Sequence, residues 1–287
     1  MLKIYFAPNW GLTSEEMVSS YIHQTPKDDG CWNDITYTTN IDEADYVIIE
    51  DNCSPELLDK FPKERLLYFS REALDSGSHH NYPINKVTKF SFWDNSGYLY
   101  TKWIYAGDLA GINMTYEDLK NEKRPPIKTK TLSCTQTNKE MTPIHVARKE
   151  FIHKYATCYP IDVFGSISSA NCTLKDNDKR NSLDEYKYSL CFDNQVTIKN
   201  FFGTQVTDAL LRWTVPIYGG GGDLEKYLPE KSFIKIDPTN LKDVDRIYNL
   251  IQNDEFDLRQ PAIAEARELI MNKYNLWPTI ESIIVYE

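Results

Sequence analysis

The residues best placed to do chemistry gather between Leu183 and Gly222. There a polar pair, Asp193-Asn194, follows the aromatic and apolar run Tyr188–Phe192, and four glycines, Gly219–Gly222, follow Thr214–Tyr218. Short apolar runs that end in polar residues or glycine read as buried strands. Between them Val206, Ala209 and Leu210 recur at helical spacing over Gly203–Arg212. In a parallel sheet the two strand ends and the helix start meet on the carboxyl edge, where open α/β sheets bind ligands. A glycine run at that edge would let a bulky ligand approach the backbone closely.

The elements that must position this stretch follow from the rest of the chain. Its 287 residues predict one large domain or two medium ones. Ahead of Asn121, strands are expected at Leu2–Ala7, Ile35–Thr38, Tyr46–Ile49 and Leu66–Phe69, alternating with helix starts at Thr13-Ser14-Glu15-Glu16 and Ser54-Pro55-Glu56. Asn121-Glu122-Lys123-Arg124-Pro125-Pro126 is charged and doubly prolinated, the best linker in the chain. Beyond it come strands at Thr131–Cys134 and Ile161–Phe164, the Leu183–Gly222 unit, a strand at Ser232–Ile236 and further helices. The expected organisation is an α/β domain over residues 1–122, a second over 128–260, and helices over 261–287 packing back across the domains.

Composition excludes several functions. A net charge of −10 argues against non-specific nucleic-acid binding, which depends on phosphate neutralisation, yet leaves room for a local basic pocket. The six cysteines form no CxxC pair and keep no histidine partners, so no metal site is expected. There is no GxGxxG after the first strand and no GxxxxGK[ST], which removes support for dinucleotide dehydrogenase and P-loop chemistry. With no signal-like start and no apolar run of about 18 residues, a soluble, cytoplasmic protein without a transmembrane segment is expected.

The order of these pieces resembles the donor-binding signature of the family-10 fucosyltransferases. The residues that carry the resemblance are Tyr186, Lys187, Leu190, Cys191, Phe192, Asp193 and Asn194, then Pro216, Ile217, Tyr218 and Gly219, then Lys231-Ser232-Phe233-Ile234. Ser133-Cys134, Arg148 and Asp162-Val163-Phe164-Gly165 match upstream in the same order. The resemblance is clear over roughly Leu132 to Ile236 and thins in the first half.

What the resemblance implies is a GT-B-like α/β fold, two Rossmann-like domains facing each other across a cleft. It implies an inverting, metal-independent transfer of fucose or a related deoxy sugar from a nucleotide sugar to a glycan hydroxyl. The donor would be GDP-fucose, with UDP- and dTDP-sugars as alternatives, and no other cofactor would be needed. Such a reaction asks for a base on the acceptor side and cations or amide donors on the diphosphate side.

By this pattern Glu72, closing Phe69-Ser70-Arg71-Glu72, is the expected base, with Asp94 in reserve. Arg148 near a helix start, Gly165, Ser166, Asn194, Phe201, Thr204, Gln205 and Tyr218 are the expected donor-binding residues. Each also has a plainer reading: a solvated arginine, a turn, a strand cap, a surface acid at a helix start. The family's Tyr-Val-Thr-Glu-Lys is replaced here by Phe201-Phe202-Gly203-Thr204-Gln205, so its Glu-Lys pair is lost. Lys199 and Arg212 are the nearby cations that would compensate. The alternative function is a catalytically inactive relative that binds a glycan or a protein.

Overall fold

A computed structural model describes residues 1–9, 11–69, 89–91, 111–194, 196, 202–221 and 223–285. The chain divides into two compact units. Unit 1 holds Met1–Tyr105, Met114–Asn121 and Met271–Glu287, and unit 2 holds Ala106–Asn113 and Glu122–Ile270. The passage between Asn121 and Glu122 falls at the charged, prolinated stretch. Helix α7, Phe256–Asn272, counts with unit 2 up to Ile270, and the residues from Met271 onward count with unit 1.

In unit 1 the sheet runs β2 (Cys31–Trp32), β3 (Ile35–Tyr37), β1 (Leu2–Phe6), β4 (Tyr46–Glu50), β5 (Leu66–Phe69) and β6 (Lys89–Ser91). All neighbours are parallel except β2, which pairs antiparallel with β3. Helix α1 (Ser14–Tyr21) starts where Thr13 accepts from the Glu16 amide and Glu16 accepts from the Thr13 amide, a reciprocal cap that satisfies two orphan donors. Helix α2 (Pro55–Lys60) starts on Ser54 with proline in its first turn.

One face of this sheet packs Ile4, Phe6, Ile48 and Leu67 against Met17 and Tyr21 of α1 and against helix α8 (Leu276–Val285). In α8, Trp277 is fully buried, its indole N–H donates to the Tyr21 carbonyl at 2.9 Å, and its ring meets Phe6 edge-on at 5.9 Å. Burying such side chains contributes roughly 1.5–3 kcal/mol each, so α8 is part of this core.

In unit 2 five parallel strands lie in the order β11 (Ile234–Lys235), β10 (Val215–Gly219), β9 (Tyr186–Phe192), β7 (Lys130–Gln136), β8 (Asp162–Gly165). Helix α4 (Pro143–Cys158) joins β7 to β8, and α5 (Thr204–Leu211) lies between β9 and β10. The central strands β9 and β10 bury nearly every side chain and β7 most of its own, as parallel strands covered on both faces do. Cys134 and Cys191 are among them, free and fully enclosed.

Leaving aside β2, both sheets share one order: the second parallel strand beside the first, then the third, fourth and fifth on the other side. The connections therefore diverge between the first and third strands. In unit 2 that switch point lies between β7 and β9. Crevices outside the carboxyl ends of such strands are where doubly wound sheets take ligands.

Candidate functional site

At that switch point unit 2 opens a pocket of about 540 Å³. Thr135 and Gln136 come from the end of β7, Gly165 and Ser166 from the end of β8, Asn194 from beyond β9, and Thr204 and Gln205 from the first turn of α5. Arg148 enters from the second turn of α4, while Lys139 and Lys179 come from the loops after β7 and β8. Among the described residues no Asp or Glu lines it. In a chain of net charge −10, the described lining of this pocket has three cations and no acid.

Arg148 is its centre. The residue is only 2% exposed, and burial pulls its pKa down to about 10, so it stays protonated at neutral pH. With the Gln136 amide oriented so that its oxygen faces the guanidinium, Oε1 accepts from Nε at 2.8 Å and from Nη2 at 2.7 Å. Nη1 donates to Asn194 Oδ1 at 2.5 Å and reaches the Asp193 carbonyl at 3.5 Å. These partners are neutral amides, and among the described residues no carboxylate forms an ion pair with Arg148. A buried charge held only by neutral groups is costly unless something anionic completes it.

The sheet edge around it is fixed by backbone devices. Gly165 has φ +105°, and a Cβ there would lie 2.3 Å from the Gln136 carbonyl oxygen, so only glycine fits. Ser166 continues this approach: its amide donates to the Gln136 carbonyl at 3.1 Å and its Oγ accepts from the Asn138 amide at 3.1 Å. Gln205 bridges two strands, its Oε1 accepting from the Phe192 amide at 3.1 Å and its Nε2 donating to the Thr135 carbonyl at 3.3 Å. Its amide is thus occupied on both sides. Helix α5 begins on Gly203, which has no side chain to cap the first-turn amides.

Beneath the pocket lies Asp193, buried, with Oδ1 accepting from the Gly203 amide at 2.8 Å and Oδ2 from the Tyr218 hydroxyl at 2.5 Å. Desolvation by burial outweighs these bonds and pushes its pKa up to about 7.

The structure thus brings Arg148, Gly165, Ser166, Asn194, Thr204 and Gln205 to one pocket. Tyr218 is fully buried against Asp193 and does not line it. Glu72, Asp94, Phe201 and Lys199 lie outside the described residues.

Two sequence expectations are corrected. Arg212 does not serve this pocket: it caps the far end of α5, 3% exposed, with Nε on Asp184 at 2.6 Å and Nη1 on Glu122 at 2.6 Å. The second concerns the glycine run. A Cβ on Gly219 would meet the Phe192 ring at 2.6 Å, one on Gly220 the Tyr218 hydroxyl at 2.2 Å, and one on Gly221 the Val196 carbonyl at 2.1 Å. The space that the glycines leave is therefore filled by the protein itself.

Lys179 and Gln136 are pocket residues that sequence reasoning missed. Lys179 sits in the polar run Lys175-Asp176-Asn177-Asp178-Lys179-Arg180, which carries no apolar period to mark it. Among the described residues no group of three or more His, Cys, Asp or Glu side chains is placed to hold a metal ion. No described helix is long and apolar enough to cross a membrane.

With two mainly parallel sheets of doubly wound order and a cationic pocket at a switch point, the chain has a GT-B-like α/β fold. An alpha1,3-fucosyltransferase solved with GDP superposes with a TM-score of 0.59 at 19% identity, covering 98% of this chain and 89% of that one. The Anabaena protein HepE, solved with UDP and glucose, gives 0.54 at 13% identity over 100% and 99% of the two chains. At these identities the likeness is one of fold.

By sequence, residues 126–257 match the model of the C-terminal part of glycosyltransferase family 10 (fucosyltransferase), and over that stretch the chain is similar to this family. The alpha-(1,3)-fucosyltransferase C of Drosophila melanogaster is 26% identical over 88 residues, 30% of this chain and 20% of that protein. The match spans about a fifth of that relative's length.

Proposed function

We propose that this pocket holds the diphosphate of a nucleotide sugar and that the chain is an inverting glycosyltransferase, moving fucose or a related deoxy sugar to a glycan hydroxyl. The observation that carries the reading is Arg148, a buried guanidinium with no carboxylate ion-pair partner among the described residues, in a pocket whose described lining has two lysines and no acid. The family match over residues 126–257, and the GDP and UDP named with the two solved relatives, support a nucleotide-sugar donor.

In the proposed reaction the acceptor oxygen attacks the anomeric carbon as the bond from that carbon to the diphosphate oxygen breaks. The acceptor's proton passes to a carboxylate, assigned to Glu72 with Asp94 in reserve, and the nucleoside diphosphate leaves from the opposite face. Arg148 stabilises the charge that develops on the departing diphosphate, and Gln136 and Asn194 hold the guanidinium in place before the reaction begins. Gly165 and Ser166 shape the floor beside it.

A second reading, a non-catalytic relative that binds a glycan or protein, draws on Thr204-Gln205 standing where the family has Glu-Lys, and on the Gln205 amide being engaged with Phe192 and Thr135. Calorimetry with GDP, UDP and dTDP tests the first reading, and absence of binding by all three overturns it. Release of nucleoside diphosphate from a panel of nucleotide sugars, lost in Glu72→Gln, would exclude the second.

A further inference from the structure

We propose that Lys179 supplies the second cation for the donor's diphosphate, held in position by the buried carboxylate of Asp208. The proposal rests on the nucleotide-sugar reading above and assigns a contact within that site.

A diphosphate carries more negative charge than one guanidinium can offset, so a single buried Arg148 leaves the site short of positive charge. The first turn of α5 has no cation to add: Thr204 is neutral and the Gln205 amide is occupied by backbone on both sides. Arg212 faces two carboxylates at the other end of the helix. Among the described residues two pocket lysines remain. Lys139 sits on an exposed loop, where solvent screens its charge.

Lys179 is different. Its side chain is 12% exposed, its Nζ lies 2.5 Å from Asp208 Oδ2 and 3.4 Å from Thr204 Oγ1, and it lines the pocket. An ammonium has three N–H donors in tetrahedral array. Two are directed to Asp208 and Thr204, and among the described residues the third has no acceptor.

Asp208 is the positioning residue. It is 1% exposed, its other oxygen, Oδ1, has no hydrogen-bond partner among the described residues, and the ion pair keeps the long lysine side chain from swinging out to solvent. The pair also ties the Lys179–Ser182 turn to α5, so the cation comes from a loop and its orientation from the helix. An ammonium held this way binds a phosphate oxygen as a point charge with little ordering left to be done on binding.

The test is calorimetric titration of the full chain with GDP, UDP and the corresponding nucleosides. In Lys179→Met the affinity for whichever diphosphate binds should fall about tenfold or more, while nucleoside binding stays unchanged. Lys179→Arg should recover part of the loss. If removing the lysine leaves Asp208 uncompensated and the chain unfolds, the double variant Lys179→Met/Asp208→Asn, which replaces the charged pair by a neutral one, is titrated instead. Diphosphate affinity equal to that of the unsubstituted chain in the folded variant overturns this assignment alone. Failure of the unsubstituted chain to bind any nucleoside diphosphate overturns the nucleotide-sugar reading, and this assignment with it.

Discussion

The Tyr218 hydroxyl donates to Asp193 Oδ2 at 2.5 Å, joining the end of β10 to the residue that closes β9, directly under the Arg148 pocket. The opposite oxygen of the same carboxylate receives the Gly203 amide at the start of α5, so one buried acid holds three segments together. Because burial raises its pKa to about 7, the folded protein holds this proton more tightly than the unfolded chain between the usual carboxylate range and about pH 7. The stability this group contributes is present at low pH and lost as pH rises through about 7. Asp193→Asn should flatten the stability–pH curve over that interval, as read by denaturant midpoints from pH 5 to 8.

Arg148→Met should weaken nucleoside diphosphate binding by about tenfold to a hundredfold, the range expected for a lost charged hydrogen bond. Arg148→Lys should recover only part of this, because a lysine cannot keep the two-pronged contact with the Gln136 oxygen that orients the charge. Equal affinity in all three proteins would show that the anion site lies elsewhere.

Gly165→Ala should destabilise unit 2 by roughly 2–4 kcal/mol, since alanine is strained at φ +105° and its Cβ would press on the Gln136 carbonyl. The backbone shift needed to relieve that contact also moves the Gln136 side of the arginine clamp. Thermal denaturation reads the first effect and nucleotide affinity the second.

Gln205→Ala should cost about 1–2 kcal/mol by leaving the Phe192 amide and the Thr135 carbonyl without their partner. This separates a structural glutamine from a ligand-binding one: affinity per folded molecule should change less than stability does.

Arg212→Met should cost about 3 kcal/mol, toward the lower end for a broken buried pair because Glu122 and Asp184 keep some solvent contact. Chemical denaturation measures it, and diphosphate affinity should remain that of the unsubstituted chain.

Much of unit 2 was legible because its strands are short apolar runs with polar ends, and Tyr186–Phe192 and Val215–Gly219 form where that pattern places them. Arg148 and Asn194 were legible by their places in the family pattern, and they meet through a hydrogen bond that spans 46 residues. What was hidden depended on partners distant in sequence. Arg212 is defined by Glu122, 90 residues away, and nothing local indicates that the two meet. Lys179 reads as one charge in a polar run until Asp208 captures it. The glycines after β10 misled for another reason: a sequence shows that a side chain is missing, but not what fills the gap.

Helix α8 completes the core of unit 1 although the whole of unit 2 precedes it in the chain. During synthesis the first sheet therefore emerges with one apolar face, including Phe6 and Leu67, bare of Trp277 and Ile280 until Leu276–Val285 follows. Unit 2 is nearly continuous and meets no such delay. The half with the cationic pocket is thus free to fold first, and the other half matures last, exposed to aggregation and chaperone capture in the interval.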